Sequence, residues 1–219
     1  MAAVRTPLAP RAPATLELAV SPDHDLTHEA TLRRVGYLDI DLGEQEADAV
    51  SLEQCRFTRA SLAGSVLDQA TLTDCLVESS DWANLKATKS AMVRVKLATV
   101  RLTGLHWIDG ALRDVTFVEC RMDLATFRFT SFKVVSFIDC NLSRADFTGA
   151  DLRGAQFTGC DLTGAQFAQA NCAGARFARC DLSGVGTVTS LKGATITATD
   201  LVALSHTFAA ALGITIEDA

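Results

Sequence analysis

A chain of 219 residues, 48% of them hydrophobic and 21% charged, is long and apolar enough to bury a large core. Its formal net charge of −6 argues against a general nucleic-acid binder, so no direct nucleic-acid binding is expected. No apolar run reaches the ~18 residues that a membrane-spanning helix needs, so no membrane partner is expected either.

Residues 1–14 are rich in Ala and Pro, and only Arg5 and Arg11 are charged. The segment lacks the apolar centre of a signal peptide and reads as disordered, in a cytoplasmic protein. Residues 15–29 follow as a cap. Thr15 to Val20 alternates apolar and polar residues, as a short capping strand would. Ser21 to Glu29 is an acidic connector holding His24 and His28 beside Asp23, Asp25 and Glu29. These five could grip a metal weakly, but a solvated connector is the expectation, so no metal and no cofactor are assigned.

Residues 30–196 are dominated by one periodicity. Every fifth residue from Leu32 to Leu182 is hydrophobic. A period of five fits neither a helix nor a flat strand, so it marks a repeating supersecondary unit and a solenoid. Two residues before each of these lies a second, mostly small series, as in Ala145, Ala150, Ala155, Cys160 and Ala165. In extended chain the two series point to the same side. Call these inward residues positions one and three; position two then points outward. Positions four and five turn the chain, and Gly at position five (Gly64, Gly104, Gly149 and others) suits the positive φ of a type II turn. Cys120, Cys140, Cys160 and Cys180, like Phe117, Phe137, Phe157 and Phe177, recur at intervals of 20, so four sides close one coil. Roughly eight coils at ~4.8 Å each give a rod ~37 Å long. These cysteines, with Cys55, Cys75 and Cys172, should fill the core as small hydrophobes rather than bind metal.

The register slips by one residue after Val185. Residues 197–219 then read as a helix capped by Thr199 or Asp200, stopped by Gly213, and followed by a short strand at Ile214-Thr215-Ile216. Leu201, Leu204, Phe208 and Leu212 recur at helical spacing. With Ile214 they form the expected homodimer interface, part of the apolar face covering the last coil.

The pattern Ala145-Asp146-Phe147-Thr148-Gly149, Ala150-Asp151-Leu152-Arg153-Gly154 resembles the pentapeptide repeat proteins. The resemblance implies an all-β fold, a right-handed quadrilateral parallel β-helix, here with a short C-terminal α-helix. The ending Leu212-Gly213-Ile214-x-Ile216-Glu217-Asp218 is similar to the dimerising tail of the Qnr and MfpA subgroup. That subgroup binds DNA gyrase and modulates its response to topoisomerase poisons such as fluoroquinolones. No insertion breaks the frame from Ala30 to Gly184, as in the loopless MfpA type.

No catalytic constellation is visible, so a non-catalytic protein is expected. The resemblance implies a DNA mimic that binds gyrase or another type II topoisomerase and confers or tunes inhibitor resistance. An adaptor for an unrelated regulatory partner is the alternative. A duplex as long as the rod would carry ~22 negative charges at one per ~1.7 Å. The chain's −6 allows partial charge mimicry at most. Asp81, Asp123, Asp146, Asp151, Asp161 and Asp181 are the expected partner-facing acids. Asp41, Asp81, Asp161 and Asp181 form one stripe, interrupted by Arg101 and Arg121. Such an Asp could equally be making a local hydrogen bond at its corner. Phe129 is the one repeat Phe placed at a corner, and Trp82 and Trp107 take inward positions.

Overall fold

The computed structural model describes residues 5–217. It is a parallel β-solenoid of about nine turns with a short C-terminal helix. Successive coils pair in parallel with an offset of 20 residues, as in Met92 with Leu112 and Leu112 with Phe132. Face one carries Thr31–Arg33, Ser51–Glu53 and Thr71–Thr73. Face two carries Val35–Leu38, Arg56–Thr58, Leu76–Glu78, Gln156–Thr158 and Arg176–Ala178. In mid-rod, Ala91–Ala98, Ala111–Val118 and Ser131–Ile138 run unbroken around the corner between these two faces. Face three is a ladder of single bridges from Asp41 to Asp181. Face four begins with Glu46–Asp48, Val66–Asp68, Lys86–Thr88 and His106–Ile108.

The corners obey the sequence rule. Gly149 has φ 69° and the Ala150 N–H donates to the Phe147 carbonyl at 3.0 Å, closing the turn from position three to the next position one. Where Gly is absent, position five still takes the left-handed conformation, as at Arg34, Asp74 and Asp114.

Like residues stack because coils repeat at the strand spacing. Phe117, Phe137, Phe157 and Phe177 follow one another at centroid distances of 4.9, 4.8 and 4.9 Å, stacked with their planes nearly parallel. Phe127, Phe147 and Phe167 form a second ladder, at 5.4 and 5.3 Å. The ladders meet edge to face at Phe147–Phe157 (5.9 Å, 84°), a favourable quadrupole geometry. Trp82 and Trp107 are buried as expected. Gly110 makes room for the latter, since a Cβ there would lie 2.5 Å from the Trp107 indole nitrogen. All seven cysteines are free and buried. At position one, a hydroxyl or thiol donates to the carbonyl of position three in the preceding coil, as Ser65 does to Leu42 (3.0 Å) and Thr130 to Trp107 (2.7 Å). These position-one hydroxyls are thereby satisfied, whereas the indole N–H groups of Trp82 and Trp107 are buried without a partner.

Both ends are partly covered on face two, which shields strand edge that would otherwise template aggregation. At the start, Glu17–Leu18 (β1) pairs with Val35 and Gly36, and Leu26 is buried beneath it. The strand is shorter than Thr15 to Val20, and Leu18 and Val20 are exposed. At the other end Arg176 pairs with Thr195, an offset of 19 that realises the one-residue slip. Helix α1 (Ala198–Ala211) starts from Thr197, one turn earlier than Asp200 would have placed it. Asp200 is not the cap. It lies in the first turn of α1, buried, and accepts the Cys180 N–H at 3.0 Å, tying the helix to the last coil. Gly213 (φ 70°) ends the helix as expected, with the Ile214 N–H returning to Ala209 at 2.8 Å. No strand forms over Ile214 to Ile216.

The N-terminal segment differs most from its expectation. Residues 5–14, read from sequence as disordered, lie as extended chain along the corner between faces one and two. The Leu8 N–H donates to Asp114 (3.2 Å) and the Arg11 N–H to Asp74 (3.0 Å). Gln54 and Gln156 donate to the carbonyls of Arg11 (3.2 Å) and Arg5 (2.8 Å). Residues 1–4 of the expected disordered segment lie outside the described residues.

Candidate functional site

The outward Asp residues occupy three faces and one corner rather than a single site. Asp81, Asp161 and Asp181 share face three with Asp41, in one ladder with Ser61, Arg101, Arg121 and Asn141. Asp146 is on face four and Asp151 on face one, while Asp123 sits at the corner between faces three and four. Position-two acids accept the N–H two residues on: Asp81 from Ala83 (3.0 Å), Asp146 from Thr148 (2.9 Å), Asp161 from Thr163 (2.9 Å) and Asp181 from Ser183 (2.9 Å). This is the local corner bond that short polar side chains make in turns. It occupies one carboxylate oxygen; at Asp81 and Asp146 the other accepts from Arg101 and Arg128.

Neighbouring cations neutralise several of these acids. Arg101 pairs with Asp81 at 3.0 Å, Arg128 with Asp146 at 2.6 Å and Arg153 with Asp151 at 2.7 Å. The Arg153 guanidinium, bonded to Asp151, holds that carboxyl below the usual range. Thr103 donates its hydroxyl to Asp123 at 2.9 Å. Asp161 and Asp181, one coil apart, carry no ion pair among the described residues. Hydrogen bonds from Ser183 keep the Asp181 carboxyl below its ordinary range. Face three is thus acidic near Asp41, basic at Arg101 and Arg121, and acidic again at Asp161 and Asp181.

The corners carry the exposed apolar groups. Phe129 (59% exposed) and Leu124 (53%) flank the same stretch of face four, both in the left-handed conformation. The Phe129 ring covers Gly149 of the next coil. Leu201 and Val202 on α1 are exposed, as are Leu212, Ile214 and Ile216 in the segment that follows it. Leu204 is fully buried and Phe208 packs partly into the same core. Leu204 therefore belongs to the protomer's own cap and not to an outer face, because α1 lies against the last coil through it.

The connector histidines are spent on backbone. His24 accepts the Val20 N–H and His28 the Asp48 N–H, each at 3.1 Å through Nδ1. No group of three or more His, Cys, Asp or Glu side chains suited to a metal occurs among the described residues. The thiols are not shifted alike: hydrogen bonds with Cys140 and Cys75 lower the Cys120 and Cys55 thiols, while others are held in their neutral form. Hydrogen bonding to Cys120 pushes Cys140 up to about 12, bonding to Cys140 does the same to Cys160, and burial alone raises Cys172 to about 12. No described helix is long and apolar enough to cross a membrane.

One cavity, of about 740 Å³, lies where the first corner reaches Gly154 and Gly174. Arg5, Lys133, Arg176 and the Arg153–Asp151 pair line it. It is an open continuation of the corner along which that segment lies.

Comparison with known proteins places the repeats. A family model described as "Pentapeptide repeat region" matches residues 90–167 and 110–186, and one described as "Pentapeptide repeats (8 copies)" matches 48–76. A search of curated proteins found no match. Among solved structures, the chain is similar to HetL, a pentapeptide repeat protein involved in heterocyst differentiation regulation in the cyanobacterium Nostoc sp. strain PCC 7120. Identity there is 16%, TM-score 0.37, covering 77% of this chain and 85% of that one. It is also similar to a trypsin-treated form of QnrB1, a plasmid-mediated fluoroquinolone resistance protein. Identity is again 16%, TM-score 0.37, covering 94% of this chain and all (100%) of that one.

Proposed function

This chain belongs to the pentapeptide repeat family, and from that premise we propose that it is a non-catalytic binding rod whose partner is a type II DNA topoisomerase, gyrase in the first instance. The observation that carries the reading is the unbroken frame. From Asp41 to Asp181 every coil on face three follows the last without a loop, so this face offers a continuous wall rather than a pocket. Reactions need convergent groups in a water-excluded site, whereas flat walls suit a macromolecular partner. Asp161 and Asp181 give one wall two adjacent unpaired carboxylates, a short stretch of charge where a DNA phosphate run would lie. Shape and local charge together would occupy the topoisomerase's DNA site, and inhibitor resistance follows from that occupancy. A homodimer through the outer face of α1 and the segment after it, with Leu201, Leu212 and Ile214 at its centre, would double the length of the wall.

The exposed pair Leu124 and Phe129 favours a second reading, an adaptor for an unrelated regulatory protein. A supercoiling assay separates the two. Under the first reading, micromolar chain inhibits gyrase or rescues it from a quinolone. Failure to do either, at concentrations where the chain is folded, leaves the adaptor.

A further inference from the structure

The first corner behaves as a groove already holding a ligand. Its position-five residues run Arg34, Gln54, Asp74, Arg94, Asp114, Val134, Gly154 and Gly174, one per coil. Asp74 is clamped by Arg94 through two hydrogen bonds of 2.7 Å, yet still accepts the Arg11 N–H at 3.0 Å. Asp114, two coils on, accepts the Leu8 N–H at 3.2 Å. Gln54 and Gln156 supply donors to the segment's carbonyls. All four contacts read main chain, not side chains.

The segment is built to that spacing. Pro7, Pro10 and Pro13 recur at every third residue, the period of a polyproline II helix. Three residues at ~3.1 Å advance ~9.3 Å, and two coils at ~4.8 Å advance ~9.6 Å. The residue after each of the first two prolines therefore presents its N–H to an acceptor every second coil. Proline has no N–H to leave unpaired at the intervening place, and its restricted backbone lowers the entropy lost on docking. Beyond Arg5 the groove continues past Gly154 and Gly174 into the cationic cavity, so it is longer than the described segment that fills it.

We propose that this corner is a peptide-docking groove for extended chain with proline at every third residue, and that residues 5–14 are its resident ligand, exchangeable for a segment of the same chemistry presented by another molecule. The proposal does not depend on the topoisomerase reading.

The test uses the full chain with Leu8→Pro and Arg11→Pro, which removes both N–H donors without touching the rod. A fluorescent synthetic peptide of residues 1–15 is titrated against this chain and against wild type. Saturable binding to the released chain is expected, at least tenfold weaker to wild type and at least tenfold weaker after Asp74→Ala and Asp114→Ala are added. A peptide of the same composition with its prolines moved off the three-residue period should also lose at least tenfold. No binding to the released chain, or equal binding of the shuffled peptide, overturns the proposal. In wild type, the Leu8 and Arg11 amides should exchange with solvent at least tenfold more slowly than in the free peptide, and equal rates would overturn it independently.

Discussion

Replacing Phe157 by Ala probes the load on the aromatic ladder. Phe157 is fully buried, between Phe137 at 4.8 Å and Phe177 at 4.9 Å, with Phe147 edge-on at 5.9 Å. Truncating a buried Phe costs ~3–5 kcal/mol through lost transfer energy and the cavity left behind. The ring contacts with three neighbours, each worth ~0.5–1.5 kcal/mol beyond area, place this site in the upper half of that range. The coil backbone is pinned by pairing on both sides, so the cavity has little room to collapse. Arg176→Ala, at the outward neighbour of Phe177, is the control and should stay within ~0.5 kcal/mol. Denaturant unfolding followed by circular dichroism reads both. Equal shifts of the two midpoints would refute the assignment of inward and outward positions. Gln156→Ala, at an outward position two, is a poorer control because its side chain holds the Arg5 carbonyl.

Gly110→Ala should destabilise by ~1–3 kcal/mol through overpacking, since the added Cβ meets the Trp107 ring and, at 2.7 Å, the Ser90 carbonyl; an unchanged melting midpoint would count against the packing described. Leu204→Ala should cost ~2–5 kcal/mol as a core truncation without changing the sedimentation of the folded chain, whereas Val202→Glu with Leu212→Glu should convert the proposed dimer to monomer with little loss of stability. The hydrogen bond from Arg94, followed by that from the Arg11 N–H, holds the Asp74 carboxyl below its ordinary range. Because its folded pKa is depressed, the stability it contributes is fully present above the unfolded value near ~4 and is lost as pH falls through the folded value. The wild-type denaturation midpoint should therefore drop below that pH more steeply than that of Asp74→Asn, and parallel curves would contradict the role given to Asp74.

The coil was legible because its signals are local and repeated. Position three fills the axis, glycine marks the corner, and Cys and Phe at 20-residue intervals count the sides, so strand register follows from spacing alone. The Asp at position two also reads from sequence, since its partner lies two residues away. The N-terminal strap did not, because Leu8 and Arg11 find their acceptors 106 and 63 residues on. The prolines at every third residue were the available signal, but they acquire meaning only once the coil spacing is known. Asp200 looked like a helix cap for a related reason. Its true partner is the buried Cys180 N–H in the last coil, 20 residues back, which local propensity does not see. Leu204 and Leu201 share one helix face in a periodicity count, and only the angle at which α1 meets the last coil separates the buried from the exposed residue.

The central claim is that the acidic end of face three meets the partner. Asp161→Asn with Asp181→Asn tests it, because Asn141 in the same ladder keeps the corner bond, accepting the Ser143 N–H at 2.9 Å, without a charge. Titrating gyrase with each protein by calorimetry gives the decisive comparison. The account predicts micromolar or tighter binding by wild type, weakened at least tenfold in the double variant at unchanged melting temperature; equal affinities, or no binding by wild type, would contradict it.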